Sequence, residues 1–146
     1  MQETQTIQAR LQDASTLPDT LAASFDAFEA IRLAARTCTD RIPELFAAFM
    51  TTADAAVDGR EAITAAPSLP AGPAAAQPGL LASGGSVDAA LDILAAVGAL
   101  LEERLTQAAA SAMLAADRVA CGEAASAARR IHQLMARGDD GPAGLR

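Results

Sequence analysis

His132 is the single histidine of the 146-residue chain, and Cys38 and Cys121 are its two cysteines. Nucleophilic or metal chemistry would have to be assembled from these three and the carboxylates. A zinc site uses ligands in close pairs, and no such pair exists among Cys38, Cys121 and His132. A ferritin-like di-iron centre needs Glu-x-x-His on two helices, and that spacing does not occur. His132 follows Arg129 and Arg130 on an amphipathic stretch, where a polar surface residue is the simpler reading than a general base. Ser83-Gly84-Gly85-Ser86 precedes a helix start and could offer backbone N–H groups to a phosphate. It lacks the lysine and the preceding strand of a P-loop, so Ser86 reads as an N-cap.

The carboxylates are spaced like solvated helix faces. Asp54, Asp58 and Glu61 form an acidic strip, Asp26 and Glu29 precede Arg32 and Arg36, and Glu102 and Glu103 abut Arg104. Pairs three or four apart on one helix account for these without catalysis. The expectation is therefore a protein that is not an enzyme and that carries no cofactor and no metal.

Composition narrows the class further. Hydrophobic residues make up 51% of the chain, yet aromatics only 3%, all of them phenylalanine, and 39 residues are alanine. Alanine has high helix propensity and little surface to bury, which favours many helices packed with their backbones close. The basic residues are all arginine, in keeping with the codon usage of a GC-rich bacterial genome. A net charge of -7 disfavours a nucleic-acid partner, because phosphate binding needs a basic face. The longest apolar run, Ile93 to Leu101, is bounded by Asp92 and by Glu102 and Glu103, too short for a transmembrane segment. The opening residues include Glu3 and no basic stretch, unlike a secretory signal. A soluble cytoplasmic location follows as the expectation, with both cysteines reduced.

These residues need helices to place them. Residues 1–15 read as an N-terminal arm, with Ile7, Leu11 and Ala14 at helical spacing. A single bundle domain then covers 16–138. Helix 1 is expected over about 17–36, capped by Thr16 with Pro18 in its first turn. Ile7, Leu11, Ala14, Leu21, Phe25 and Phe28 keep one alternating four-three rhythm across Pro18, so arm and helix share a face. Thr37 to Asp40 marks a turn, with Thr39 or Asp40 as the next cap. Helix 2 follows over about 41–65, with Ile42, Leu45, Phe46, Phe49, Ala53, Ala56, Val57 and Ile63 on one stripe. A turn centred near Thr39 brings Phe28 level with Phe49 or Met50 and gathers the four phenylalanines into one cluster.

Residues 66–85 hold four of the seven prolines and four of the ten glycines and read as a loop or crossover, anchored by Leu80 and Leu81 as a cap on the bundle. Residues 87–137 read as helical throughout. Leu91, Leu94, Gly98, Leu101, Leu105, Ala108, Ala112, Ala115 and Val119 form one seam. The apolar face then shifts to Ala120, Ala124, Ala127, Ile131 and Leu134, so the segment either drifts as one helix or breaks near Gly122. Residues 139–146 read as a disordered tail.

The fold expected is all-α, an antiparallel bundle of three to four helices with a long C-terminal helix. Ala108, Ala112, Ala116, Ala120, Ala124 and Ala128 stand four apart and would let another helix approach closely. The function this suggests is an interaction or assembly module, binding itself or a protein partner through that alanine face. The alternative is a bundle that binds a small apolar ligand, a lipid or an inclusion surface.

Overall fold

The computed structural model describes residues 2–71, 80 and 85–139. The protein is all-α, with five α-helices and no strand among the described residues. They are α1 (Gln2–Asp13), α2 (Leu17–Cys38), α3 (Phe46–Thr64), α4 (Val87–Ser111) and α5 (Ala115–Asp139). Two starts follow their capping chemistry. Thr16 is extended at φ -113°, its Oγ1 accepts from the Asp19 N–H at 3.2 Å, and Pro18 occupies the first turn. Ser86 accepts from the Ala89 N–H at 3.1 Å.

Helices α2, α3, α5 and α4 form a ring in which each packs antiparallel on its two neighbours, and α1 lies on α2 and α4. The core is one continuous cluster, with Phe28, Phe49, Leu21, Ile31, Leu94 and Leu101 among its fully buried side chains. At one end of the bundle lie the α4–α5 turn, the α1–α2 turn and the C-terminus of α3. There Ser68, just beyond α3, donates its backbone N–H and its hydroxyl to the Asp117 carboxylate of α5, at 3.1 and 2.6 Å. At the other end the Arg41 guanidinium, in the α2–α3 turn, donates to the Gly85 carbonyl just ahead of α4. Helix α3 thus ends where α5 begins, and α4 begins at the opposite end. The connection between α3 and α4 therefore links opposite ends of the bundle, and residues 72–79 and 81–84 of it lie outside the described residues.

The arm at 1–15 forms α1, and its Ile7, Leu11 and Ala14 are all buried. The α2–α3 turn also differs from expectation. Helix α2 runs on to Cys38, and a 3-10 turn at Pro43–Leu45 precedes α3. Neither Thr39 nor Asp40 caps it: the N-cap is Ile42 with no side-chain bond, and the Thr39 hydroxyl donates back to the Arg36 carbonyl at 2.9 Å. The longer connection moves the centre of the turn toward Pro43 and changes what meets across the helix pair. Phe28 lies against Gly59, where an added Cβ would stand 2.4 Å from the ring. The phenylalanines do not form a single cluster of four: Phe28 and Phe49 are fully buried, Phe25 is half-buried, and Phe46 is 48% exposed.

The segment 87–137 is two helices, and the break falls at Ala112–Leu114, ahead of Gly122. Ala112 is extended at ψ 139°, and the Arg118 guanidinium donates to the carbonyls of Ala112 and Met113 at 3.1 and 2.9 Å. No glycine or proline causes this break. Folding α5 back on α4 buries the leucine seam against the alanine face, a gain that outweighs the helix propensity of the turn residues. Gly98 permits the close approach, since a Cβ there would lie 3.0 Å from the His132 backbone nitrogen and from Ile131 Cγ2. Gly122 lies inside α5 with open space around it. Helix α5 continues through Gly138 to Asp139; the rest of the expected tail, 140–146, is outside the described residues.

Candidate functional site

The alanine ridge is divided by the break. Ala108 and Ala112 close the inner face of α4, while Ala120, Ala124 and Ala128 lie on the inner face of α5 and are buried. Ala116 is exposed. On α5 the buried members are thus Ala120, Ala124 and Ala128, while Ala116 in its first turn falls outside the contact. The buried alanines are covered by the chain's own helices, chiefly in the α4–α5 and α3–α5 contacts, so they present no outward face. The seam expected along 87–137 holds from Leu91 through Ala112. Beyond it, Ala115 is exposed and Val119 is 60% exposed, because the break resets the helical phase.

That reset creates an apolar end on the bundle. Met113 is 89% exposed, Leu114 53% exposed, and Val119 stands just over a turn into α5 beside exposed Ala115 and Ala116. Arg118 is occupied with the turn's carbonyls and Asp117 is buried on Ser68, so neither charge projects freely among these side chains. A signal for this patch existed in the sequence. Met113 and Leu114 fall off the seam that takes Ala112 and Ala115, so a straight helix would already have left them outside the contact.

The other candidates are dispersed. Of the two residues expected to cap the bundle, Leu80 is buried in the core cluster and Leu81 lies outside the described residues. Cys38 closes α2 at one end and Cys121 sits in α5 toward the other; both are free and buried. Burial pushes the Cys38 thiol above its ordinary pKa, partly opposed by Arg41. Burial also raises that of Cys121, helped by the negative Asp117. Among the described residues, no three His, Cys, Asp or Glu side chains are placed to hold a metal ion. No described helix is long and apolar enough to cross a membrane.

The carboxylates work within and between helices. Glu29 is buried and accepts from Arg32 at 2.8 and 2.9 Å and from Arg60 of α3 at 2.5 Å. Arg10 of α1 reaches Asp26 of α2 at 2.7 Å, Arg129 reaches Glu102 at 2.7 Å, and Arg130 reaches Asp58 at 3.2 Å. The clefts are open to solvent. One of about 200 Å³ lies between Ser15, Thr16, Thr20, Arg104, Gln107 and Ser111. Another of about 460 Å³ runs past Asp58, Glu61, Glu123 and Arg130. No protein-family model matches the chain, and searches of curated proteins and of solved structures return no match.

Proposed function

We propose that the chain is a non-enzymatic helical assembly module that associates through the apolar end formed by Met113, Leu114 and Val119. The observation that carries this reading is the exposure of Met113 and Leu114 at the α4–α5 turn, with Val119 also exposed four residues into α5. A turn is ordinarily polar, and large apolar groups held out at one suit a partner surface. The alanine face is spent within the chain, so the docking role passes to the end of the bundle. The small-ligand alternative gains little, since the clefts described are open and bordered by charged and hydroxyl side chains.

Light scattering on the full chain across the micromolar range tests the reading. Wild type is expected to associate with rising concentration, and Leu114→Asp to stay monomeric with unchanged helical circular dichroism. Identical monomers throughout would overturn it.

A further inference from the structure

A cleft of about 200 Å³ lies between the α1–α2 turn with the first turn of α2 on one side and the C-terminal half of α4 on the other. Arg104 is the charged residue of its lining, and Ser15, Thr16, Thr20, Gln107 and Ser111 supply hydroxyl and amide groups. No carboxylate stands in that lining, although the chain carries a net charge of -7; Asp13 and Asp19 border a separate cleft with Arg10. The half-buried Arg104 guanidinium donates to the Ala14 carbonyl and, at 3.2 Å, to Gln107 Oε1, and it takes no part in the ion pairs described above. Its Nε is enclosed without an acceptor. The charge is thus met by neutral oxygens alone, and a guanidinium held in this way favours an anion within its reach.

Thr20 points to the same chemistry independently. It is 5% exposed, it borders the cleft, and its hydroxyl has no hydrogen-bond partner among the described residues. The unpartnered hydroxyls of Ser24 and Thr52 are sealed inside the bundle, whereas that of Thr20 is not, and the cleft is its outlet. A nearly buried hydroxyl without a partner forfeits a hydrogen bond unless something enters the cleft. The neighbouring groups also have hydrogens to give. Thr16 Oγ1 accepts from the Asp19 N–H, which leaves its own hydrogen available, and because Pro18 has no N–H the Leu17 N–H is the donor that the cap leaves over. Gln107 accepts from Arg104 through Oε1, so its amide hydrogens remain.

We infer that this cleft is a binding site for a small oxyanion, a phosphate or carboxylate group, seated against Arg104 and Thr20 at the N-terminus of α2. Its volume lies below the roughly 300–1,000 Å³ of ordinary ligand pockets, which limits the occupant to a single such group. This is a polar ligand, in keeping with the charged and hydroxyl borders that count against an apolar one. Because Arg104 also holds the Ala14 carbonyl, an anion bound there ties the α1–α2 turn to α4. The site is separate from the docking role given to the apolar end, and either stands without the other.

Titration of the isotope-labelled full chain with inorganic phosphate, beside sodium chloride at matched ionic strength, tests this by NMR. The expected result is a set of saturable shifts confined to the amides of 15–20 and 104–111 and to the Arg104 Nε–H, with acetate as the arm that distinguishes a carboxylate from a phosphate ligand. Thr20→Val removes the hydroxyl at nearly equal size; it should keep the wild-type circular dichroism and bind the anion about tenfold more weakly. Arg104→Gln should abolish saturation. Shifts that stay linear with both anions, or that chloride reproduces, overturn the site, and so does a Thr20→Val chain that binds as tightly as wild type. Should Arg104→Gln fail to fold, the comparison of Thr20→Val with wild type decides alone.

Discussion

Two glycines inside helices carry opposite consequences. Glycine costs roughly 0.5–1 kcal/mol relative to alanine in a helix interior, so each position invites replacement. At Gly122 an added Cβ meets nothing, and Gly122→Ala is expected to raise stability by about 0.5–1 kcal/mol in urea melts. At Gly59 the Cβ would stand 2.4 Å from the fully buried Phe28 ring, so Gly59→Ala should lower stability by about 1–3 kcal/mol despite the propensity gain. Equal effects at the two sites would refute the packing of Phe28 on Gly59. The thiols make a separate test. Both have pKa values raised by burial, so folding favours their protonated form. That contribution is whole below the unfolded value of about 8.5 and is lost as pH rises beyond it. The chain has no tyrosine and no lysine, so little else titrates in this window. Stability should therefore decline as pH rises above about 8.5, as measured by denaturant midpoints; a flat profile would contradict it.

Helices were legible because their signals are local. Thr16 with Pro18 and Ser86 ahead of Val87 mark starts by side-chain chemistry that acts within four residues, and both starts are observed. The break at Ala112–Leu114 has no such local cause. It exists because the leucine seam and the alanine face cover one another, a tertiary gain that no residue in the turn announces. The same holds for the alanine site, whose spacing is real but is divided between α4 and α5 by that turn. The phenylalanine level was misplaced because it depended on the centre of a turn, where a 3-10 segment and a few extra residues slide one helix past the other. These differences set an element-scale prediction. Ala116 faces solvent and Ala124 is fully buried on α5. Ala124→Leu should cost about 1–3 kcal/mol by overpacking, and Ala116→Leu should stay within about 0.5 kcal/mol of wild type. Thermal melts showing the reverse order would mean that the ridge is an outer surface after all.

At the scale of the whole molecule, the connection between α3 and α4 is a consequence of topology. Both helices run in the same direction within the ring, so the chain must return the length of the bundle between them. Helix α3 has 19 residues, about 28 Å, a span that an extended chain of roughly nine residues could cover. The connection at 65–86 is more than twice that long, so its described anchors, more than its length, are expected to carry the stability. Ser68 fixes its start on Asp117, Arg41 fixes its end at Gly85, and Leu80 is buried 2% exposed between them. Removing residues 74–76 should thus change stability by less than about 0.5 kcal/mol, since loop entropy varies slowly with length. Leu80→Ala should cost about 2–5 kcal/mol, the usual loss for emptying a buried leucine site. Because Leu80 is buried in the bundle rather than displayed at the apolar end, the substitution should leave the oligomeric state of the folded fraction unchanged. Urea titration of both variants beside light scattering separates the effects. A deletion more harmful than Leu80→Ala would show that the connection is taut and that length, rather than its buried leucine, holds α3 and α4 in place.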